Sequence, residues 1–593
     1  MHKRRQGSQW NRIRPIVLAV AALGAGGNAA AFNIDTGNED VEMRWDNTVR
    51  YNVGARTKGR SDLIGNNLQS DEGTYSFDRG DIVTNRFDLL TEFDVSYKKM
   101  VGSRISAAGW YDAAYGDDSR ANPRIASLAS YNNTKYSNYT KRYYAGPSGE
   151  LLDAFVFANV DLGNVPTKVR AGRHTVFWGE SLFLSGALHG ISYAQMPLDL
   201  QKGFATPGVE AKELFRPLNQ VSGQVQVTDT LSLAGQYFLE WESYRYPEGG
   251  TYLGPGDMLF NGPDSYRVTQ LPNLNALGPY KGQFIGYKNG GAIKPDQNGE
   301  FGLSARWSPE ALDGTLGFYY RRYTDKVPQI LVTKETKTPK NPALGAASNV
   351  PLLNGSQYNF LYADNVDLFG ISLAKNIGGL SVGVELSYRH NTPLAARLLG
   401  VPLAGAAMPE GGETTGPRGD TMHGLINVLG IVPKTMLFDS ASWATELVWS
   451  RLQKVSSGAD LFQGVGYGGC PSGDWHFNCA TRDYFGLGAS FAPTWYQVMA
   501  GVDMSAPVTV SYGLSGNAAT TLGGNQGTGN YSLGLGFDIF QKHRIDLKYV
   551  SYFGRLNDTA YNPATGLHTV TPNGLSALLK DRDFLGLTFK TTF

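Results

Sequence analysis

Residues 378–391 read GGLSVGVELSYRHN, and the order of side chains in this stretch decides the fold. Leu380, Val382, Val384, Leu386 and Tyr388 fall on one face of an extended chain; Ser381, Gly383, Glu385, Ser387 and Arg389 fall on the other. A period of two is the signature of a β-strand. In a soluble sheet the large apolar side chains would face a core, whereas in a membrane barrel they face lipid and the small or charged ones face the lumen.

The pattern recurs from end to end. In TNRFDLLTEFDVSYKK (84–99), Phe87, Leu89, Phe93, Val95 and Tyr97 oppose Arg86, Asp88, Glu92, Asp94 and Ser96. NYSLGLGFDIF (530–540) and HRIDLKY (543–549) repeat it, the latter setting Arg544, Asp546 and Lys548 on the lumenal face. The chain ends in DFLGLTFKTTF (583–593), with Leu585, Leu587, Phe589 and Phe593 facing lipid. This last segment is expected to close the barrel against the one beginning near Val41, with Phe589 and Phe593 forming the signal read by the barrel assembly machinery. Trp45, Tyr97, Tyr388, Trp449 and Tyr549 lie near segment ends, where interfacial aromatics belong.

Eighteen segments of this kind run from 41–54 to 582–593. They include 358–375, 482–491 and 494–512. The expected fold is all-β, a transmembrane antiparallel barrel of about 16–18 strands with long loops near 55–83, 117–149, 179–216, 245–298, 326–357, 392–420 and 456–481. Glycine (73), tyrosine (32) and a charged fraction of only 18% suit a β-rich, turn-rich chain. No N-terminal region is large enough for a plug domain, and residues 32–593 read as a single barrel domain.

Ahead of the first segment, residues 1–31 carry Lys3, Arg4, Arg5, Arg12 and Arg14, an apolar run Ile16–Leu23, and Ala29-Ala30-Ala31. That reads as a secretory signal peptide, expected to be cut before Phe32, the apolar run being too short to span a bilayer. Without it the chain has 48 basic and 52 acidic residues, a balance that points away from nucleic acid. Cys470 and Cys479 bracket PSGDWHFN in an oxidising compartment and are expected to form a loop disulfide. His476 alone between them makes no metal site, and no cofactor is implied.

Residues 173–222 break the rhythm. RHTVFWGESLFLSGALHGISYAQMPLDLQKGFATPGVEAKELFRPLNQVS is too apolar for a free surface loop, and reads as an insert folded into the lumen, with a short helix after Pro207. Its ligand-path candidates are Arg173, His174, Phe177, Trp178, Glu180 and Phe183, with Lys212, Glu213 and Arg216 further on. Glu210, Lys212, Glu213 and Arg216 are expected to tie it to wall charges such as Arg86, Asp88 or Glu385; Glu92, Arg389, Asp546 and Lys548 complete the set of lumen-wall charges. His174, Glu180, His189, Ser181 and Ser185 have the residue types of a hydrolase, but no HExxH or GxSxG spacing organises them, and none is assigned as catalytic.

Several blocks then bear a resemblance: SFDRGDIVTNRFDLLTEFDVSYKK, AAGWYDAAYG, RHTVFWGESLF, PGVEAKELFRPLNQVSGQ, LGFYYRRYTDKVP, ELSYRHNTPL and GDTMHGLINVLG. Together they resemble the family called domain of unknown function 1302, over about residues 32–593. The resemblance implies a Gram-negative outer-membrane barrel. It also implies two partners, a domain of unknown function 1329 type protein and a resistance-nodulation-division transporter, and passage of hydrophobic compounds of lipid, terpene or steroid type. The expected function is transport of a hydrophobic or amphipathic small molecule. A general porin for polar solutes is the alternative, with an outer-membrane hydrolase or an adhesion or assembly barrel behind it.

Overall fold

In the computed structural model, residues 32–205, 214–273, 275, 277, 281–333, 351–400 and 408–593 are described. Eighteen antiparallel strands form a closed barrel of the outer-membrane type. They are β1 (Val41–Arg56), β2 (Ile82–Tyr97), β3 (Val101–Asp112), β4 (Ser148–Leu162), β5 (Val165–His174) and β6 (Leu218–Gln226). Next come β7 (Leu231–Phe238), β8 (Phe301–Trp307), β9 (Gly314–Tyr323), β10 (Val366–Ile377), β11 (Leu380–Pro393) and β12 (Arg418–Val432). The circuit ends with β13 (Ser440–Ser457), β14 (Asp483–Met499), β15 (Val502–Ser505 and Val508–Ser515), β16 (Gly529–Ile539), β17 (His543–Phe553) and β18 (Phe584–Thr592).

β18 pairs with β17 on one side and with β1 on the other, from Thr592 opposite Thr48 to Phe584 opposite Arg56. Phe593 extends the seam by donating its N–H to the Asn47 carbonyl (2.9 Å) and accepting one back (2.7 Å). Past it, the short strand Phe32–Ile34 pairs with Met43–Trp45 along the same edge of β1. The barrel has no free edge where lipid would meet it.

Alternation sorts the faces as expected. Leu533, Leu535, Leu585 and Leu587 are all more than 40% exposed on the outside, as lipid-facing residues should be. Tight turns join strands at one rim and long loops at the other. Two expected boundaries move. The turn between β14 and β15 lies at residues 500–501, with Gly501 at φ +74°, while Pro493 stays inside β14 opposite Ala441. The segment expected over 358–375 splits, and its first part, Gln357–Leu361, belongs to a separate five-stranded sheet built from loops.

That sheet, with Ser265–Gln270, Phe284–Ile293, Gln329–Thr333 and Leu399–Gly400, helps form a cap over the loop rim. The cap buries a dense aromatic core including Trp241, Tyr244, Tyr246, Phe260, Tyr358 and Phe360. Two buried guanidinium groups tie its loops together. Arg582 donates to the carbonyls of Tyr252 and Gly254 and to the Thr74 hydroxyl; Arg56 donates to the carbonyls of Thr74, Phe77 and Asp581. Cys470 and Cys479 form the expected disulfide in the loop after β13.

Glu248 lies fully buried in the cap, its Oε2 accepting the N–H groups of Phe260 (3.1 Å) and Gly262 (2.6 Å). Burial pushes this carboxyl up to about 7, against those donors, which favour the charged form. The folded cap therefore holds a proton that an opened loop, titrating near 4.5, releases. The resulting stabilisation is complete below that lower value and is lost as pH rises through about 7. Amide protection over residues 245–265, corrected for intrinsic exchange, should fall between pH 5 and pH 8, and Glu248→Gln should reduce that slope, the remainder coming from Asp257, which burial also pushes up to about 7. An unchanged slope would exclude Glu248 as a titrating group.

Candidate functional site

Only the middle of the unusual stretch leaves the wall. Arg173 and His174 close β5 and Leu218–Ser222 open β6, so the insert comprises residues 175–217. It carries the short helices Leu184–His189 and Leu200–Ala205. Its apolar residues Leu188, Ile191, Tyr193, Met196 and Leu198 are buried in the same core as the cap aromatics. Residues 206–213 lie outside the described residues, and with them the helix expected after Pro207, Glu210, Lys212 and Glu213.

A chain segment inside a barrel must find partners for its backbone polar groups, since little water reaches them. Here the wall supplies them through side chains. Glu385 of β11, 3% exposed, accepts the N–H groups of Glu180 and Ile191. Glu446 of β13, fully buried, accepts those of Leu182 (2.7 Å), Phe183 (3.2 Å) and Gly186 (3.0 Å). The carbonyls go to cations and an amide: Arg321 donates to Ile191 and Tyr193, Arg389 to Leu188 and Gly190, and Asn427 to Glu180. Arg389 also stacks 3.9 Å from the Tyr193 ring centroid. Charge-assisted bonds of this kind are each worth about 1.5–3 kcal/mol, and leaving one partner buried alone costs as much again.

Three glycines allow the close approach. A Cβ at Gly186 would lie 2.4 Å from the Glu446 carboxylate, and at Gly179 or Gly190 within 2.7 Å of Glu385. Gly179 also adopts φ +97°, which disfavours any side chain.

The other candidates scatter. Arg173 sits opposite Asn219, on the strand face that carries exposed Val221, and pairs with Glu240 at 2.7 Å; it belongs to the loop-side rim, not the lumen. Arg216 pairs with Glu242 at 2.6 Å, not with Arg86, Asp88 or Glu385 as expected. His174 is buried, its Nε2 2.7 Å from the Ser222 hydroxyl and its Nδ1 3.0 Å from the Gly172 carbonyl. Phe177 packs 5.3 Å from Phe215, Trp178 lies 6.1 Å from Tyr319, and Phe183 covers Gly488 of β14. Burial raises the Glu180 carboxyl, while Arg306 and a hydrogen bond from Ser372 oppose it.

Glu385 and Arg389, expected to face lumenal water, are instead covered by the insert. Paired water-facing charges are found on β2–β4 and on β16–β17. Arg86 holds Asp88 at 2.8 Å, Arg104 bridges Glu92, Asp94 and Asp153, and Arg544 holds Asp538 and Asp546. Lys548 stands between Gly534 and Gly586 on the same face. The hydrolase-type residues bond to scaffold: Ser181 to Ser192 (2.9 Å), and His189 to His423 (3.0 Å) and the Gly523 carbonyl (2.6 Å).

Sequence reasoning missed Glu446, Arg321 and Asn427, although strand parity alone places all three inward. It also missed apolar residues on inward faces. Phe155 and Phe157 of β4 lie opposite Gly172 and Arg170, and Leu429 and Ile431 of β12 lie opposite Ala444 and Ser442. DAFVFANV, apolar at successive positions rather than alternate ones, was the available signal.

Gly186→Ala should loosen the insert by about 1–3 kcal/mol through overpacking, and Glu446→Gln by a similar amount through lost acceptors. The expected readout is faster amide exchange over residues 180–191 with unchanged strand content. Exchange as slow as in the parent would rule out the carboxylate clamp.

No curated protein matches the chain in sequence. Among solved structures it is similar to OpdK of Pseudomonas aeruginosa, in a structure with vanillate (TM-score 0.38, 9% identity, covering 94% of this chain and 99% of that one). It is likewise similar to OccAB3 of Acinetobacter baumannii (0.38, 10%, 93% and 99%) and to OmpF of Salmonella typhi in complex with daunomycin (0.33, 8%, 95% and 100%). The profile described as "Protein of unknown function (DUF1302)" matches residues 12–593, and the chain belongs to that family.

Proposed function

We propose that the barrel is an outer-membrane passage for hydrophobic or amphipathic small molecules, constricted by its insert. The observation that carries this reading is the apolar lining on inward strand faces. Phe155 and Phe157 on β4, and Leu429 and Ile431 on β12, occupy positions where a water-filled pore would carry polar groups; Ile431 is 73% exposed. Half-buried Phe177, Trp178 and Phe183 of the insert add aromatic surface. A cargo with ten methylenes gains about 0.8 kcal/mol for each one it buries, so a series of partial sites serves passage better than one deep trap. The paired charges on β2–β4 and β16–β17 favour the alternative, a porin for small polar solutes.

Vesicles with a lipopolysaccharide outer leaflet and the reconstituted protein separate the two. Radiolabelled dodecanol should enter faster than in protein-free vesicles, and glucose should not. Phe157→Ser and Ile431→Ser should each slow dodecanol roughly fivefold, for about 1 kcal/mol of lost contact. Rapid glucose entry with both variants unaffected would establish the porin instead.

A further inference from the structure

The lumenal charges are distributed unevenly. β5, β6, β7 and β8 form consecutive wall between which the insert leaves and returns, and they contain no aspartate or glutamate. Their register fixes which residues look inward. Val221, Leu233, Tyr237 and Leu303 are each more than 40% exposed on the outside, so Lys168, Arg170, Ser222, Gln224, Gln236, Ser304 and Arg306 share the lumenal face. Among the described residues Lys168, Arg170 and Arg306 make no ion pair, whereas Asp88, Glu92, Asp94, Asp153, Asp538 and Asp546 on the other walls all have an arginine partner.

The unpaired cations lie beside apolar surface. Arg170 is opposite Phe157 in register, and its guanidinium stands 5.5 Å from the Phe155 ring centroid. Arg306 is four residues along the same face from Gly302, against which the Trp178 ring packs. Beside Lys168 in register, Gln224 presents an exposed amide that can donate hydrogen bonds. Across four strands at about 4.8 Å each, the strip is roughly 15 Å wide. It offers successive cationic stations, each next to an apolar or aromatic surface.

We infer that the cargo is an amphipathic anion, an apolar body bearing one carboxylate-type group, and that Lys168, Arg170 and Arg306 select it. The inference rests on the reading of the barrel as a passage for apolar-bodied molecules and names their class. The headgroup is handed along the basic strip while the body stays on Phe155, Phe157 and the insert. Each station binds weakly because each cation remains partly hydrated.

The test uses the full-length protein in the same vesicles at pH 8, comparing radiolabelled laurate with dodecanol, which have the same chain length and differ in charge. Laurate should enter several-fold faster than dodecanol. The combined substitution Lys168→Gln, Arg170→Gln and Arg306→Gln should bring laurate down to the dodecanol rate and leave dodecanol unchanged. Should that variant fail to assemble, raising the salt from 50 to 500 mM with the unaltered protein replaces it, since screening should slow laurate alone. Equal entry of both probes, unaffected by the substitutions or by salt, would overturn the inference and leave the hydrophobic passage standing. Entry of neither would remove that passage and the inference with it.

Discussion

A bilayer offers no water to an unpaired strand edge, so the whole structure depends on the seam between β18 and β1. Nine consecutive pairs, from Thr592–Thr48 to Phe584–Arg56, join residues more than 500 positions apart in sequence. Once that seam is made, every wall strand has two neighbours and parity decides the rest. Odd or even position determines whether a side chain meets lipid or lumen.

The insert meets the same constraint in reverse. A segment enclosed by the barrel has no sheet neighbour to satisfy its backbone, so the wall does it with Glu385, Glu446, Arg321, Arg389 and Asn427. Burying such groups is costly unless they are paired, and here the insert backbone is the partner. The wall charges therefore have two separate roles. Those on β9, β11 and β13 hold the constriction, those on β2–β4 and on β16–β17 pair within their own groups, and the acid-free strands β5–β8, between β4 and β9, form the cationic side of the lumen.

The sequence made the barrel legible because period-two alternation is local. Eighteen segments were visible, and the closing role of residues 583–593 followed from their pattern. Errors came where local pattern and long-range pairing disagree. Residues 357–361 alternate like a wall strand but pair in the cap, and the break read between residues 491 and 494 lies in the structure at residues 500–501. The insert could be recognised from its apolar composition, but its clamps could not. Glu385 on a strand looks the same whether it faces water or a backbone amide, and only the fold brings residue 385 to residues 180 and 191. The cap was hidden for a similar reason: loops rich in tyrosine read as polar until folding buries their rings together.

The meeting of Phe32 and Phe593 at the seam has a topological consequence. Phe593 lies opposite Asn47 and Phe32 opposite Trp45, so the N-terminal strand takes up the line one position after the C-terminal strand stops, running in the same direction. The described chain is thus nearly a ring, interrupted by about one residue. For such a chain the position of the break is not dictated by the wall: a short peptide bridging 593 to 32 would complete an unbroken circuit, and a cut in any of the tight turns on the same rim would give a permuted chain with an identical barrel.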